Sequence, residues 1–237
     1  MSKRIAIIPA RGGSKRIPKK NIRDFYGKPM IAHVLEAAAK AGIFDTIHVS
    51  TDDPEIAKVA ADLGFKPDFE RPENLSDDYT PIFDVVRGVA EKYRQREELF
   101  DTYCLLFATA PLTNLEDLRI ACQEFENGPQ DKTLMSITEF PCPVEWAFRK
   151  DKNGELSPVV PGGFAQRSQD LKPAYFDAAM FVFAARDYVF NADFSKMDRD
   201  YRGYVVPPYR VTDIDTPEDW EMAEKLYAAL LNGKKNA

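Results

Sequence analysis

The chain is short of the residues that staple small or secreted proteins. Its three cysteines, Cys104, Cys122 and Cys142, are odd in number, widely spaced and set among apolar neighbours. They make neither a disulfide framework nor a CxxC-type metal site, and predict free thiols in a reducing compartment. The two histidines, His33 and His48, lie apart without ligand spacing, which predicts core or surface roles. No GxSxG elbow is present, and no thiol sits in a motif that would make it a nucleophile. Long uncharged apolar runs are missing too. The first, residues 5–8, stops at Pro9, well short of a signal-peptide core or a membrane span. Basic residues are outnumbered, 32 Lys and Arg against 38 Asp and Glu, for a net charge of −6. That balance argues against a general binder of nucleic acid or anionic membrane, and the whole pattern predicts a cytoplasmic protein.

What is present is enough for a large core. With 237 residues, 44% hydrophobic and 12% aromatic, the chain needs no staples and is not a disordered polymer. It reads as a single domain, residues 1–237. The first half alternates strand-like and helix-like segments, the signature of a parallel sheet wrapped by helices, so the fold class is α/β. Residues 4–8, 46–50, 103–107 and 133–138 are short apolar runs suited to buried strands. Between them fall amphipathic helices. The first covers residues 29–41, with Gly42 as its C-cap. Asp53 caps a second that begins at Pro54, Thr80-Pro81 starts a third by the same device, and Asn114 caps a fourth. From about residue 141 the rhythm changes to a hairpin around Asp151-Lys152-Asn153-Gly154, and residues 141–174 read as a protruding β-rich insertion. A strand-like run at 176–184 and a short one near 205–206 follow. The final helix opens with Thr216 as cap, Pro217 in its first position and Asp219 at the capping-box position.

Three segments carry chemistry. Residues 10–21, Ala-Arg-Gly-Gly-Ser-Lys-Arg-Ile-Pro-Lys-Lys-Asn, directly follow the first strand, at the sheet edge where open α/β folds bind ligands. In an acidic protein this loop concentrates Arg11, Lys15, Arg16, Lys19, Lys20 and Arg23, with no acid before Asp24. Its glycines let backbone N–H groups approach an anion, and a polyphosphate is the natural guest. A solvated basic turn would explain the charge but not the paired glycines. The spacing is neither GxxxxGK[ST] nor GxGxxG. Asp213-Ile214-Asp215 sets two carboxylates on one side of an extended segment, a hard-oxygen pair suited to Mg²⁺ shared with phosphates. Taken alone, it could equally be an acidic helix entry. Beside the cationic loop, metal-assisted phosphoryl or nucleotidyl transfer is the better reading. Arg167, in Arg167-Ser168-Gln169-Asp170-Leu171, could hold a substrate carboxylate bidentately, although a lone loop arginine is more often solvated.

These motifs resemble those of the CMP-nonulosonate synthetases, the acylneuraminate cytidylyltransferases that activate sialic acid and its bacterial relatives with CTP. The resemblance rests on residues 7–21, on Gly27-Lys28-Pro29-Met30-Ile31, on Ser50-Thr51-Asp52-Asp53 and on residues 71–78. It continues through Thr109-Ala110-Pro111, residues 167–171 and Asp213-Ile214-Asp215-Thr216-Pro217-Glu218-Asp219-Trp220. Residues 167–171 and 213–220 are most similar to the pseudaminic acid branch. The resemblance implies a three-layer Rossmann-like nucleotidyltransferase sheet and a homodimer in which the protruding segment contributes to the partner's site. It implies that Arg11, Gly12, Gly13, Ser14 and Lys15 cradle the triphosphate of CTP, with Lys20 and Asn21 near the reacting phosphate and the nucleoside. Arg71, with the backbone around Thr80, would read cytosine. Asp213 and Asp215 would bind Mg²⁺, and Arg167 and Gln169 would belong to the site of the nine-carbon sugar acid. The anomeric hydroxyl of that acid would attack the α-phosphate, its proton going to Asp215 or to a metal-bound water. Rival readings are a sialic or legionaminic acid synthetase, a sugar-1-phosphate nucleotidyltransferase, and a nucleotide-binding relative without turnover.

Several positions depart from the family pattern. Phe107 and Ala108 replace the glutamine-bearing motif of the sialate branch, and an aromatic at 107 suits the pseudaminate branch. Pro81 and Ile82 stand where hydroxyl residues approach the ribose. In Asp177-Ala178-Ala179-Met180-Phe181, Ala179 and Met180 replace glycine and glutamine. That predicts an apolar wall in the sugar pocket and an unusual sugar.

Overall fold

A computed structural model describes residues 2–77, 79–194 and 200–235. The chain runs β1 (Arg4–Pro9), β2 (Asp24–Phe25), β3 (Lys28–Pro29), α1 (Met30–Ala41), β4 (Thr46–Ser50), α2 (Pro54–Asp62) and α3 (Ile82–Gln95). It continues through β5 (Thr102–Leu106), α4 (Leu115–Glu126), β6 (Thr133–Glu139), β7 (Phe148–Lys150), β8 (Leu156–Pro158), β9 (Tyr175–Ala185), α5 (Arg186–Asn191), β10 (Tyr201–Val205) and α6 (Pro217–Lys235). Asp78, which closes the motif at residues 71–78, lies outside the described residues.

The main sheet has the order β10-β6-β9-β5-β1-β4. Alternation along its strands builds the three layers. Ile5, Ile7, Tyr103, Leu105, Val182 and Ala184 pack with Phe83, Val86, Val89 and Val189 of α3 and α5. Their neighbours Ala6, Ile8, Cys104, Leu106, Phe181 and Phe183 pack with α1, α2 and α4 through Ile31, Val34, Ile56, Leu118 and Phe125. Strands covered on both faces are apolar at every position, which is why β1 shows no polar alternation in the sequence.

Helix ends follow the local chemistry with one exception. Gly42 takes the left-handed conformation (φ 65°) that closes α1. Asp53 accepts from the N–H groups of Glu55 and Ile56, and Asn114 from that of Asp117. At α6 the reciprocal box forms: Asp219 N–H donates to Thr216 Oγ1, and Thr216 N–H donates to Asp219 Oδ2 at 2.8 Å. Thr80 does not cap α3. Pro81 holds that position without a side-chain bond, because Asp77 Oδ1 captures both the Thr80 N–H at 2.6 Å and its hydroxyl at 2.8 Å. Asp77 therefore holds Thr80 in an Asx-type contact, and the helix starts one residue later.

The largest difference from the parallel-sheet expectation is β9. It runs antiparallel to both neighbours, β5 and β6, while β1, β4 and β5 pair in parallel, as do β6 and β10. The chain leaves β6, makes the β7–β8 hairpin, and returns directly beside β6, a hairpin-like return that needs no crossover helix. The β9 register slips opposite Ser136, whose Oγ accepts the N–H groups of both Met180 and Phe181. At this bulge Ala179 is held at φ 50°, a conformation that costs an L-residue roughly 1–2 kcal/mol.

A third, smaller cluster decides where the functional segments meet. Trp220 and Ala223 of α6 pack on Ile17, Phe25, Met30 and Ile214. Ile17 belongs to the basic loop and Ile214 separates the two carboxylates, so burying both under one helix brings those segments together. Phe25 meets Trp220 and Tyr227 edge to face, and the Arg23 guanidinium lies over the Trp220 ring.

Candidate active site

Strand β1 lies between β4 and β5, so the chain moves outward on one side of β1 and then crosses to the other. At such a switch point the loops diverge and leave a crevice beyond the strand ends. Here it is a cleft of about 440 Å³, lined by Pro9, Arg11 and Ser14–Ile17 from the basic loop, by Lys20 and Asn21, and by Arg71, Ile82, Phe107–Thr109 and Asp215. Five cations (Arg11, Lys15, Arg16, Lys20 and Arg71) face one carboxylate among these residues. The cleft thus has the opposite sign to the whole chain, whose net charge is −6.

The loop is shaped from below. Ala10 N–H donates to Ser50 O, and buried Asn21 donates from Nδ2 to Arg11 O at 3.0 Å, tying the two ends of the basic segment together. Gly12 N–H donates to Asp52 Oδ1 at 3.2 Å. A Cβ at Gly12 would stand 2.4 Å from Asp53 Oδ2, so only glycine fits over the cap of α2, whereas one at Gly13 would meet nothing within 4 Å. The Arg11 Nη1 donates to Asp77 O at 3.1 Å, linking the loop to the residue that holds Thr80. Lys19, with φ 54°, turns its ammonium outward to Glu55 at 2.5 Å.

Arg71 is buried and rigidly held. Its Nε donates to Ser50 Oγ at 3.1 Å and its Nη2 to Ser50 O at 2.6 Å, leaving Nη1 for the cleft. Burial holds its guanidinium below its ordinary pKa, with Arg11 adding to the effect and Asp52 opposing it.

The carboxylate pair sits opposite. Asp215 Oδ2 lies 2.7 Å from Arg16 Nη2, and Oδ1 lies 3.3 Å from Lys20 Nζ. Lys20 also donates to the Ile214 carbonyl. Partial desolvation, then the charges of Asp215 and Asp177, hold the Asp213 carboxyl above the usual range, with Lys20 opposing. Among the described residues Asp213 has no hydrogen-bond donor, so an oxygen ligand crowded by negative charge stands beside a second carboxylate. That donor set suits a hard divalent cation, and two protein carboxylates are few enough that phosphate oxygens and water would complete its shell.

The structure does not gather every residue singled out in the sequence. Arg11, Ser14, Lys15, Lys20, Asn21, Arg71, Phe107 and Asp215 line the cleft; Gly12, Gly13, Thr80, Arg167, Gln169, Asp177 and Asp213 do not. Desolvation raises the Asp177 carboxyl, which also accepts the Ala179 N–H. Arg167 forms a bidentate pair with Asp170 at 2.7 and 3.1 Å on the exposed insertion. Met180 corrects the sequence reading. Its side chain is 2% exposed and belongs to the core beside Phe181 and Ala178, so it forms no wall of this cleft and gives no ground for an unusual sugar. Two residues were missed as site residues. Arg16 was visible only as one more loop cation, and Ser50 carries no chemistry until Arg71 folds onto it.

A cationic crevice at a sheet switch point, with the Asp215 carboxylate in it and Asp213 two residues before, is what a nucleotidyltransferase needs to hold a polyphosphate beside a metal. The cytidylyltransferase family profile matches residues 5–235, and the chain belongs to that family. It is 42% identical over 231 residues to a pseudaminic acid cytidylyltransferase of Campylobacter jejuni, covering 95% of this chain and 96% of that one. A CMP-N,N'-diacetyllegionaminic acid synthase of Legionella pneumophila is 32% identical over 94% of this chain and 95% of its own. The fold matches a CMP:2-keto-3-deoxy-manno-octonic acid synthetase complexed with CTP, with a TM-score of 0.71 at 21% identity, covering 96% and 99% of the two chains.

Proposed function

We propose that the chain transfers CMP from CTP to the anomeric hydroxyl of a pseudaminic-acid-like nonulosonic acid, releasing pyrophosphate. The observation that carries this reading is the cleft itself, with five cations converging beside Asp215 at the end of β1. The 42% identity to a pseudaminic acid cytidylyltransferase supports the choice of sugar.

In this reading Arg11, Ser14 and Lys15 hold the triphosphate, with the Gly12 and Gly13 backbone beneath it. Lys20, fixed on Ile214 O and Asp215, stands near the reacting phosphate, and Asn21 keeps the loop closed toward the nucleoside. Asp213 and Asp215 would hold Mg²⁺, which when bound neutralises charge growing on the departing pyrophosphate. Holding the α-phosphate and the hydroxyl in line is the protein's own contribution. Arg71 presents Nη1 from a fixed guanidinium, as recognition of a cytosine carbonyl requires, and the backbone around Thr80 would complete the reading of the base. Phe107 and Asp177 belong to the sugar side.

Arg167 and Gln169 reach a sugar only as part of a homodimer. The insertion exposes Phe148, Leu156, Val159, Val160 and Phe164, an apolar surface that a second copy of the chain would cover. Sedimentation at micromolar concentration is expected to give a dimer that Phe148→Glu dissociates; a monomeric wild type would remove this part of the reading. Free buried Cys104 and Cys122 suit a cytoplasmic enzyme, and no described helix is long and apolar enough to cross a membrane.

The test is pyrophosphate release with CTP and Mg²⁺ across pseudaminic, legionaminic and sialic acids, with UTP as control. Release with pseudaminic acid and CTP is expected; preference for another acid moves the assignment to that branch. Silence with all three, in protein that binds CTP, defeats the reading. In the same assay Arg71→Ala is expected to raise the KM for CTP about 10- to 100-fold, the cost of one charged hydrogen bond, and to narrow the preference over UTP. An unchanged CTP/UTP ratio would take Arg71 out of base recognition.

A further inference from the structure

Both oxygens of Asp215 are already occupied by cations, and the two cations are held very differently. Lys20 has a side chain 17% exposed and is anchored a second time on the Ile214 carbonyl. The Arg16 side chain is 63% exposed and reaches Asp215 Oδ2 through Nη2 at 2.7 Å. A divalent cation at Asp213 and Asp215 needs an Asp215 oxygen, and so does Arg16. Lys20 is fixed by the carbonyl, so Arg16 is the group that must give way. It lines the same cleft as Arg11 and Lys15, where a triphosphate offers a guanidinium a denser set of oxygens than one carboxylate.

We propose that Arg16 exchanges Asp215 for the incoming triphosphate, so that nucleotide binding frees the carboxylate oxygen the metal uses. The inference rests on the reading of this cleft as a CTP and metal site. It makes Arg16 a positioning residue with two alternative partners: before the nucleotide arrives it keeps Asp215 aimed into the cleft, and afterwards it neutralises phosphate charge. A fork of N–H donors serves both partners, which a lysine's point charge would do less well. Nucleotide and metal then assist each other through one side chain, and the coupling is reciprocal.

Two binding measurements test this without turnover and without Mn²⁺ complexing CTP in solution. The first titrates Mn²⁺ into nucleotide-free protein, read by the electron paramagnetic resonance of the free ion. The second titrates CTP in the presence of a chelator, read by calorimetry. Arg16→Gln is expected to bind Mn²⁺ about two- to fivefold more tightly, the scale of one exposed ion pair, and to bind CTP more weakly by a similar factor. Lys19→Gln removes the same charge from the same loop, but its ammonium pairs with Glu55, so its Mn²⁺ affinity should match wild type. An equal gain in Lys19→Gln would reduce the effect to the general field of the loop and overturn the exchange. So would a change in only one of the two affinities, since Arg16 would then have a single partner. Wild-type protein that binds CTP while Arg16→Gln behaves identically sinks the exchange alone. Wild-type protein that binds neither CTP nor Mn²⁺ sinks the reading of the cleft with it.

Discussion

Asp215→Ala is expected to lower pyrophosphate release by about 10²- to 10⁴-fold while leaving the protein folded. The loss follows from the proposed role of Asp215, one of two carboxylates that would hold a hard cation, whose charge stabilisation is worth several kcal/mol in the transition state. The fold should survive because the carboxylate contributes no core volume. Its partners keep other support: Lys20 still donates to Ile214 O, and Arg16 is largely solvated. The cap of α6 uses the Asp215 backbone N–H, which donates to Asp219 Oδ2 at 3.0 Å and is unaffected by the substitution. Exposed ion pairs of this type contribute about 0–1 kcal/mol, so melting should move by no more than about 2–4 °C. Activity and melting temperature measured on the same preparation check the prediction. Full activity at limiting Mg²⁺ would defeat the metal assignment, and collapse of the fold would make Asp215 a structural residue.

The second large effect is expected at a residue the reaction does not touch. Asp117, in the first turn of α4, accepts from Tyr204 Oη at 3.0 Å and takes both terminal nitrogens of Arg210, one of them at 3.1 Å. The pair is nearly dry, with side chains 6% and 16% exposed. Removing one partner of such a pair leaves the other charge desolvated and uncompensated, at a cost of about 3–5 kcal/mol. Asp117→Ala should therefore lower the melting temperature by about 6–20 °C. Arg210 stands three residues before Asp213, so the segment carrying Asp213 and Asp215 loses its tether to α4. Mn²⁺ affinity should fall as well, even at temperatures where the variant is fully folded. A melting shift under about 2 °C would show that water replaces the ion pair at little cost.

Much of this was legible in the sequence because its physics is local. The caps at Asp53, Asn114 and Thr216 depend on side chains two or three residues from the N–H groups they satisfy. The apolar runs of β1 and β5 follow from burial on both faces. The loop from Arg11 to Asn21 showed its concentration of cations through composition alone, and of those Arg11, Lys15, Arg16 and Lys20 line the cleft. At Thr80 local reasoning failed because a second local group, Asp77, engages the Thr80 N–H and hydroxyl. At Met180 it failed because the side chain faces the core, and periodicity through a bulge does not say which face a side chain takes.

By itself, then, the sequence determined the buried strands β1, β4, β5 and β6, most helix ends, the α/β class, the cationic loop and the acidic pair. Each of these is set by the preferences of residues a few positions apart. It did not determine β2, β3 or the start of β10 at Tyr201. Only the tertiary structure decided that the loop and the pair face each other, through Ile17 and Ile214 buried under Trp220. It also decided that β9 turns antiparallel, that Ser50 fixes Arg71, that Asp117 holds Arg210, and that Arg16 closes on Asp215. Arg16 and Asp215 are 199 positions apart. Nothing in either neighbourhood favours their contact until the sheet, its switch point and α6 have brought them to one cleft.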